Sequence, residues 1–140
     1  VPSLRLDVRP SPTGRLDDGR LDVPDSARSV VWWAYGAAPG EAQGTVVLAG
    51  HVSWAGRWGR FGSLTRLRPG ARVYVDRADG RRVGYRVASV TEVAKARLDR
   101  LGVFRTGGRP ALVLLTCGGH WDATRRSYDD NVVVRAVPVN

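Results

Sequence analysis

Two apolar, strand-like runs in this chain of 140 residues break off on side chains able to do nucleophilic chemistry. Ala111-Leu-Val-Leu-Leu-Thr116 leads into Cys117 and two glycines, and Thr45-Val-Val-Leu-Ala-Gly50 leads into His51. Cys117 is the only cysteine, so it forms no disulfide within the chain. A free thiol has a pKa of about 8.5, which leaves only a few per cent thiolate at neutral pH. A protonated His51 beside it would stabilise the thiolate and later give its proton to a leaving amine. The two residues are therefore the minimum set for thiolate attack on an amide carbonyl. The plainer reading of an isolated cysteine is a small buried hydrophobe. His120, three residues beyond the thiol, is the rival base.

The residues around both strand ends resemble a known family. Leu48-Ala-Gly-His51, followed at long range by Leu114-Leu-Thr-Cys117, is similar to the two halves of a sortase. Sortases are the cysteine transpeptidases that attach secreted proteins to the Gram-positive cell wall. The family pattern Thr-Leu-x-Thr-Cys reads Val113-Leu-Leu-Thr-Cys117 here, with valine for the first threonine. The flanks resemble the actinobacterial class F group: Leu21-Asp-Val-Pro24, Trp32-Trp33, Ala38-Pro-Gly40, Cys117-Gly-Gly119 and Tyr128-Asp-Asp-Asn-Val-Val-Val134. The likeness runs over roughly residues 20–138.

The resemblance implies a cleft that accepts an extended Leu-Pro-x-Thr-Gly-like sorting motif at the C-terminus of secreted proteins. Cys117 would form a thioacyl-enzyme, and an amine from a peptidoglycan precursor or a pilin lysine would resolve it. No cofactor and no metal is expected. It implies an enzyme on the outer membrane face, held there by an N-terminal helix upstream of Val1. In the family an arginine at the start of the last strand stabilises the oxyanion, and a carbonyl oxygen of that kind needs donors aimed at it. The matching position here is Asn131, expected to donate a neutral amide hydrogen bond, with Arg126, ahead of its neighbour Arg125, as the cation reaching in from the preceding loop. Arg135 shares a face with Asn131 under period-2 alternation but lies about 13 Å further along the strand. Thr116 would line the substrate groove, as the residue before the family's cysteine does. Trp54 and Trp58, which follow His51 in a Gly-rich stretch, and Trp121, which follows Cys117, are expected to border the cleft.

Composition bounds the alternatives. The net charge is +9, carried almost wholly by arginine because Lys95 is the only lysine. Such a balance favours an anionic partner, but the arginines are scattered, as at Arg57, Arg60, Arg66, Arg68 and Arg72. No aromatic-interleaved nucleic-acid motif or zinc spacing appears, so nucleic acid is not expected as a partner. Glu92 and Asp99 do not form a calcium spacing. Two other functions stand beside transpeptidation: a cysteine peptidase in which water resolves the intermediate, and a noncatalytic basic barrel that binds wall polymer or nucleic acid.

The elements that must position these residues read as short β-branched runs rather than helical repeats. Strands are expected at 30–35, 45–49, 72–76, 83–93, 111–116 and 131–137, with a tight hairpin turn at Asp79-Gly80. Short helices are expected at 61–67, with Phe61, Leu64 and Leu67 on one face, and at 95–101. The fold class is mainly β. The resemblance implies a closed eight-stranded sortase-type barrel with one or two short helices, its remaining strands near 4–8 and 20–23. Residues 1–19 read as a Pro- and Gly-containing linker or N-terminal wrap, and residues 20–140 as the catalytic domain.

Overall fold

The computed structural model describes residues 1–122, 124 and 127–139, and the side chains of these except at 95, 96, 99, 117–122 and 127–129. The described residues form nine strands: β1 (Ser11–Thr13), β2 (Val30–Trp33), β3 (Thr45–Gly50), β4 (Ser53–Trp54), β5 (Arg57–Trp58), β6 (Arg72–Asp76), β7 (Arg82–Ala94), β8 (Ala111–Asp122) and β9 (Ser127–Pro138). Seven of them form one sheet in the order β1-β2-β3-β8-β9-β7-β6, and β4 and β5 form a separate ribbon.

The centre of the sheet explains its sequence. β3 and β8 run parallel, in register from Thr45↔Ala111 to Gly50↔Thr116. All six residues of β3 are buried, as are residues 111–116 of β8. A strand covered on both faces reads as a continuous apolar run, and these two do. β9 lies antiparallel to β8 on its other side and continues to β7. Alternate residues feed two cores. One face holds Val46, Leu48, Leu112, Leu114, Val132 and Val134 with Phe61, Leu64 and Leu67; the other holds Val47, Ala49, Val113, Leu115 and Val133 with Leu21, Trp33 and Val103. At about 1.5–3 kcal/mol for each fully buried aliphatic side chain, these central strands carry much of the stability.

The structure corrects the expected closed eight-stranded barrel. The main sheet is an open half-barrel of seven strands with β1 and β6 as free edges. Neither extra strand forms. Residues 2–4 wind into a 3₁₀ turn that ends on left-handed Arg5, and Leu4, Leu6 and Val8 pack on the first core without joining a ladder. Leu21 makes a single bridge to Arg15, and the chain then reaches Pro24. The edge strand β1 is three residues long and contains Pro12, which has no N–H to extend pairing. The expected short helices are also corrected: the described residues contain no α-helix, only 3₁₀ turns at Pro2–Leu4, Leu64–Arg66 and Lys95–Leu101. A three-residue apolar spacing suits that geometry, since a 3₁₀ turn has 3.0 residues. It brings Phe61, Leu64 and Leu67 together at 2 %, 0 % and 1 % exposure.

Candidate active site

Three adjacent strands bring the candidate residues to one level, where β3 ends and β8 and β9 continue. The β3–β8 ladder ends at Gly50↔Thr116, so His51 leaves β3 at the level where β8 reaches Cys117. On the other side of β8, Cys117 is the register partner of Asn131. Neighbouring strands lie about 4.8 Å apart, which is within reach of side chains at one level.

The backbone around His51 is tightly fitted. A side chain on Gly50 would press on the Ser29 carbonyl at 3.2 Å and on Phe61 and Val30 at 3.3 Å, so only glycine passes here without displacement. A side chain on Gly59 would run into the His51 carbonyl. That glycine lets the β4–β5 ribbon fold back over the histidine, with the Gly59 N–H donating to Val52 O. The imidazole, half-buried, has its Nε2 3.0 Å from the carbonyl oxygen of Pro24. The Trp54 indole covers it at a centroid distance of 5.0 Å and a tilt of 38°.

The sequence-derived residues separate as follows. His51, Cys117 and Asn131 lie at one level, where β3 ends and β8 and β9 run on; for Cys117 this is a statement about its backbone, since its side chain lies outside the described atoms. Asn131 is buried, and its Nδ2 donates to the Thr116 carbonyl at 3.4 Å. Arg126 and Arg125 lie outside the described residues, so the loop cation is not located. Arg135 does not belong to this level of the sheet. It pairs in register with Val113, and its guanidinium donates to Leu101 O at 3.0 Å. Burial, helped by the nearby charge of Arg105, lowers its pKa from the ordinary arginine range.

Thr116 is 3 % exposed, and its Oγ1 has no hydrogen-bond partner among the described residues, so it lies under the sheet surface rather than open to a cleft. The tryptophans divide. Ser53 pairs with Trp58 and Trp54 with Arg57, so the two indoles leave opposite faces of the ribbon. Trp54 goes to His51, whereas Trp58 is 66 % exposed and borders a separate open cleft with Leu6, Arg28 and Arg60. Trp121 continues β8 opposite Tyr128; its side chain and that of His120 lie outside the described atoms. No group of three or more metal-ligating side chains occurs among the described residues.

The contact that sequence reasoning missed is the Pro24 carbonyl. Leu21-Asp-Val-Pro24 stands out as a motif, but a backbone oxygen leaves no residue-type signal of what it binds.

The model of the sortase domain family matches residues 1–139. Among solved structures, the chain is similar to Streptococcus agalactiae sortase C1 in its complex with MTSET, at 21% identity and TM-score 0.65, over 81% of this chain and 54% of that one. It is likewise similar to sortase C-1 of Actinomyces oris, at 23% identity and TM-score 0.65, over 81% of this chain and 60% of that one. For sortase C of Clostridium perfringens the values are 16% identity and TM-score 0.70, over 100% of this chain and 67% of that one. The chain therefore spans little more than half the length of the first of these structures, and at such identities the likeness shows a shared fold. No curated protein matches it.

Proposed function

The chain belongs to the sortase family, and from that premise we propose that it is a cysteine transpeptidase acting on sorting motifs of the Leu-Pro-x-Thr-Gly kind. The observation that carries the reading is the strand register, in which the β3–β8 ladder ends at Gly50↔Thr116 and the next residues along the two strands are His51 and Cys117. Cys117 Sγ attacks the threonine carbonyl carbon, and the carbonyl becomes an oxyanion. As the C–N bond breaks, His51 gives its proton to the leaving amine, and a thioacyl-enzyme remains. An incoming amine attacks the thioester, its proton returns to His51, and the thiolate departs. Asn131, together with Arg126, is assigned to the oxyanion.

The acceptor in this reading is an amine of a peptidoglycan precursor or a pilin, and the donors are secreted proteins with C-terminal sorting motifs. The flanking motifs keep the class F-like assignment, although the matched structures named above are of class C. No helix among the described residues is long and apolar enough to cross a membrane. Action at the outer membrane face belongs to this reading, with residues 1–19 as a wrap leading into the catalytic unit.

The test is incubation with peptides that span Leu-Pro-x-Thr-Gly, with x varied, and hydroxylamine or glycine amide as acceptor, followed by mass spectrometry. Cleavage between threonine and glycine with capture of the amine, absent in Cys117→Ala, is expected. Cleavage that persists without the thiol would sink the reading.

A further inference from the structure

We infer that the carbonyl of Pro24 is a positioning group that keeps a proton on His51 Nε2, so that Nδ1 is the ring nitrogen that exchanges protons with the Cys117 thiol and the leaving amine. The inference rests on the reading of His51 as the acid–base group and adds which atom does the work and what sets it. A carbonyl oxygen can only accept, so at 3.0 Å from Pro24 O the Nε2 atom is an N–H in the neutral and the charged ring alike. Neutral imidazole carries a single N–H. Its lone pair is therefore on Nδ1, which has no hydrogen-bond partner among the described residues.

The carbonyl is aimed by its surroundings rather than by chance. Leu21, 8 % exposed, anchors one side of the segment in the second core, and Val23 packs against the same cluster. On the other side Ala27 is 8 % exposed, and its carbonyl accepts the Arg60 N–H at 2.9 Å. Between them the Pro24 ring fixes φ near about −65°, and the Pro24 oxygen also accepts the Ser26 N–H at 2.7 Å. Trp54 restrains the face of the imidazole while Pro24 restrains its edge. Turning the ring over would place a C–H against the carbonyl and lose the hydrogen bond. A segment remote in sequence from both strand ends thereby becomes part of the catalytic geometry.

The test replaces Asp25 by its α-hydroxy analogue in the full chain, which turns the Pro24–Asp25 amide into an ester with a weaker acceptor oxygen. The Asp25 N–H that is lost has no hydrogen-bond partner among the described residues, so acceptor strength is the main change. With ¹⁵N-labelled histidine, wild-type His51 is expected to show a solvent-protected Nε2–H and an unprotonated Nδ1 in its neutral form, with His120 as the internal comparator. The ester should move that Nε2–H resonance upfield and lower kcat for transfer to hydroxylamine roughly fivefold or more while leaving peptide KM unchanged. If the ester chain does not fold, Pro24→Gly, which keeps the oxygen but frees φ, should give a smaller change of the same sign.

A neutral His51 protonated on Nδ1 would overturn the inference. So would an ester that shifts the resonance without changing kcat, since the bond would then be structural only. A His51→Ala enzyme that transfers at the wild-type rate would instead sink the acid–base reading itself, while the tautomer is measured independently by the spectrum.

Discussion

β8 is one strand with two unlike halves. Residues 111–116 are paired on both edges, by β3 in parallel and by β9 antiparallel, and none is more than 6 % exposed. From Cys117 to Asp122 the ladder to β3 has ended, β9 alone remains, and the register shifts between Gly118 and Trp121. A strand bonded on both edges opens only with the fold as a whole, whereas one bonded on a single edge keeps backbone groups available to an incoming chain. Cys117 stands at the boundary between them. On the proposed function it is positioned by the stiff half and approached from the open half, which would divide chemistry and stability along a single strand.

That division breaks most visibly under substitution. Cys117→Ala removes the nucleophile from the open half and should abolish transfer while leaving the unfolding midpoint within a degree or two of wild type; measurable turnover would refute it. His51→Ala should lower kcat/KM by at least about 10²-fold, the usual scale for a positioned acid–base group, and His120→Ala far less. The opposite ranking would move the base into β8 and dissolve the role of the β3–β8 register. In the stiff half, Leu114→Ala should cost about 2–5 kcal/mol by denaturant unfolding, the range for a buried leucine, with kcat preserved in the folded fraction. A Leu114→Ala protein of wild-type stability but impaired chemistry would show that the halves are not separate in function.

The stiff half and the edge strand β6 were legible in the sequence, and the short strands β1, β4 and β5 were not. Expected strands at 45–49 and 72–76 agree with β3 and β6 to within a residue, and the Asp79-Gly80 turn joins β6 to β7 with Gly80 at φ 84°. Six-residue runs rich in valine and leucine, bounded by glycine and proline, have the length and composition of strands buried on both faces. The two-residue strands β4 and β5 went unseen because their turn is Ala55-Gly56, both at positive φ, where alanine replaces the asparagine or aspartate that usually marks such a turn. The strand expected near 4–8 rested only on the barrel that the resemblance implies, and Leu4, Leu6 and Val8 instead pack on a core without a ladder. The pairing of the two reactive strand ends could be anticipated from the motifs. The clasp of Pro24 on His51 could not, because it is made by a backbone atom.

Asn131 tests the boundary itself, with the smallest expected effect. It faces Cys117 across the β8–β9 ladder, yet its Nδ2 is bonded back to the Thr116 carbonyl, the last residue of the stiff half. One N–H of the amide therefore holds the two strands in register, and the other is the donor assigned to the oxyanion. Asn131→Ala loses both and should cost about 1 kcal/mol of stability, the net worth of a neutral hydrogen bond. Because Arg126 is proposed to share the oxyanion, kcat should fall by about tenfold, less than the 10²–10³ seen for removal of a principal donor. Asn131→Asp keeps the shape but replaces both N–H groups with acceptors. Its carboxylate would stand against the Thr116 carbonyl and the developing oxyanion, so its kcat should fall further than that of the alanine variant while peptide KM changes little. If both variants shift only the melting temperature and leave kcat intact, Asn131 belongs to the stiff half alone, and stabilisation of the oxyanion falls to the loop arginine or to the backbone around Cys117.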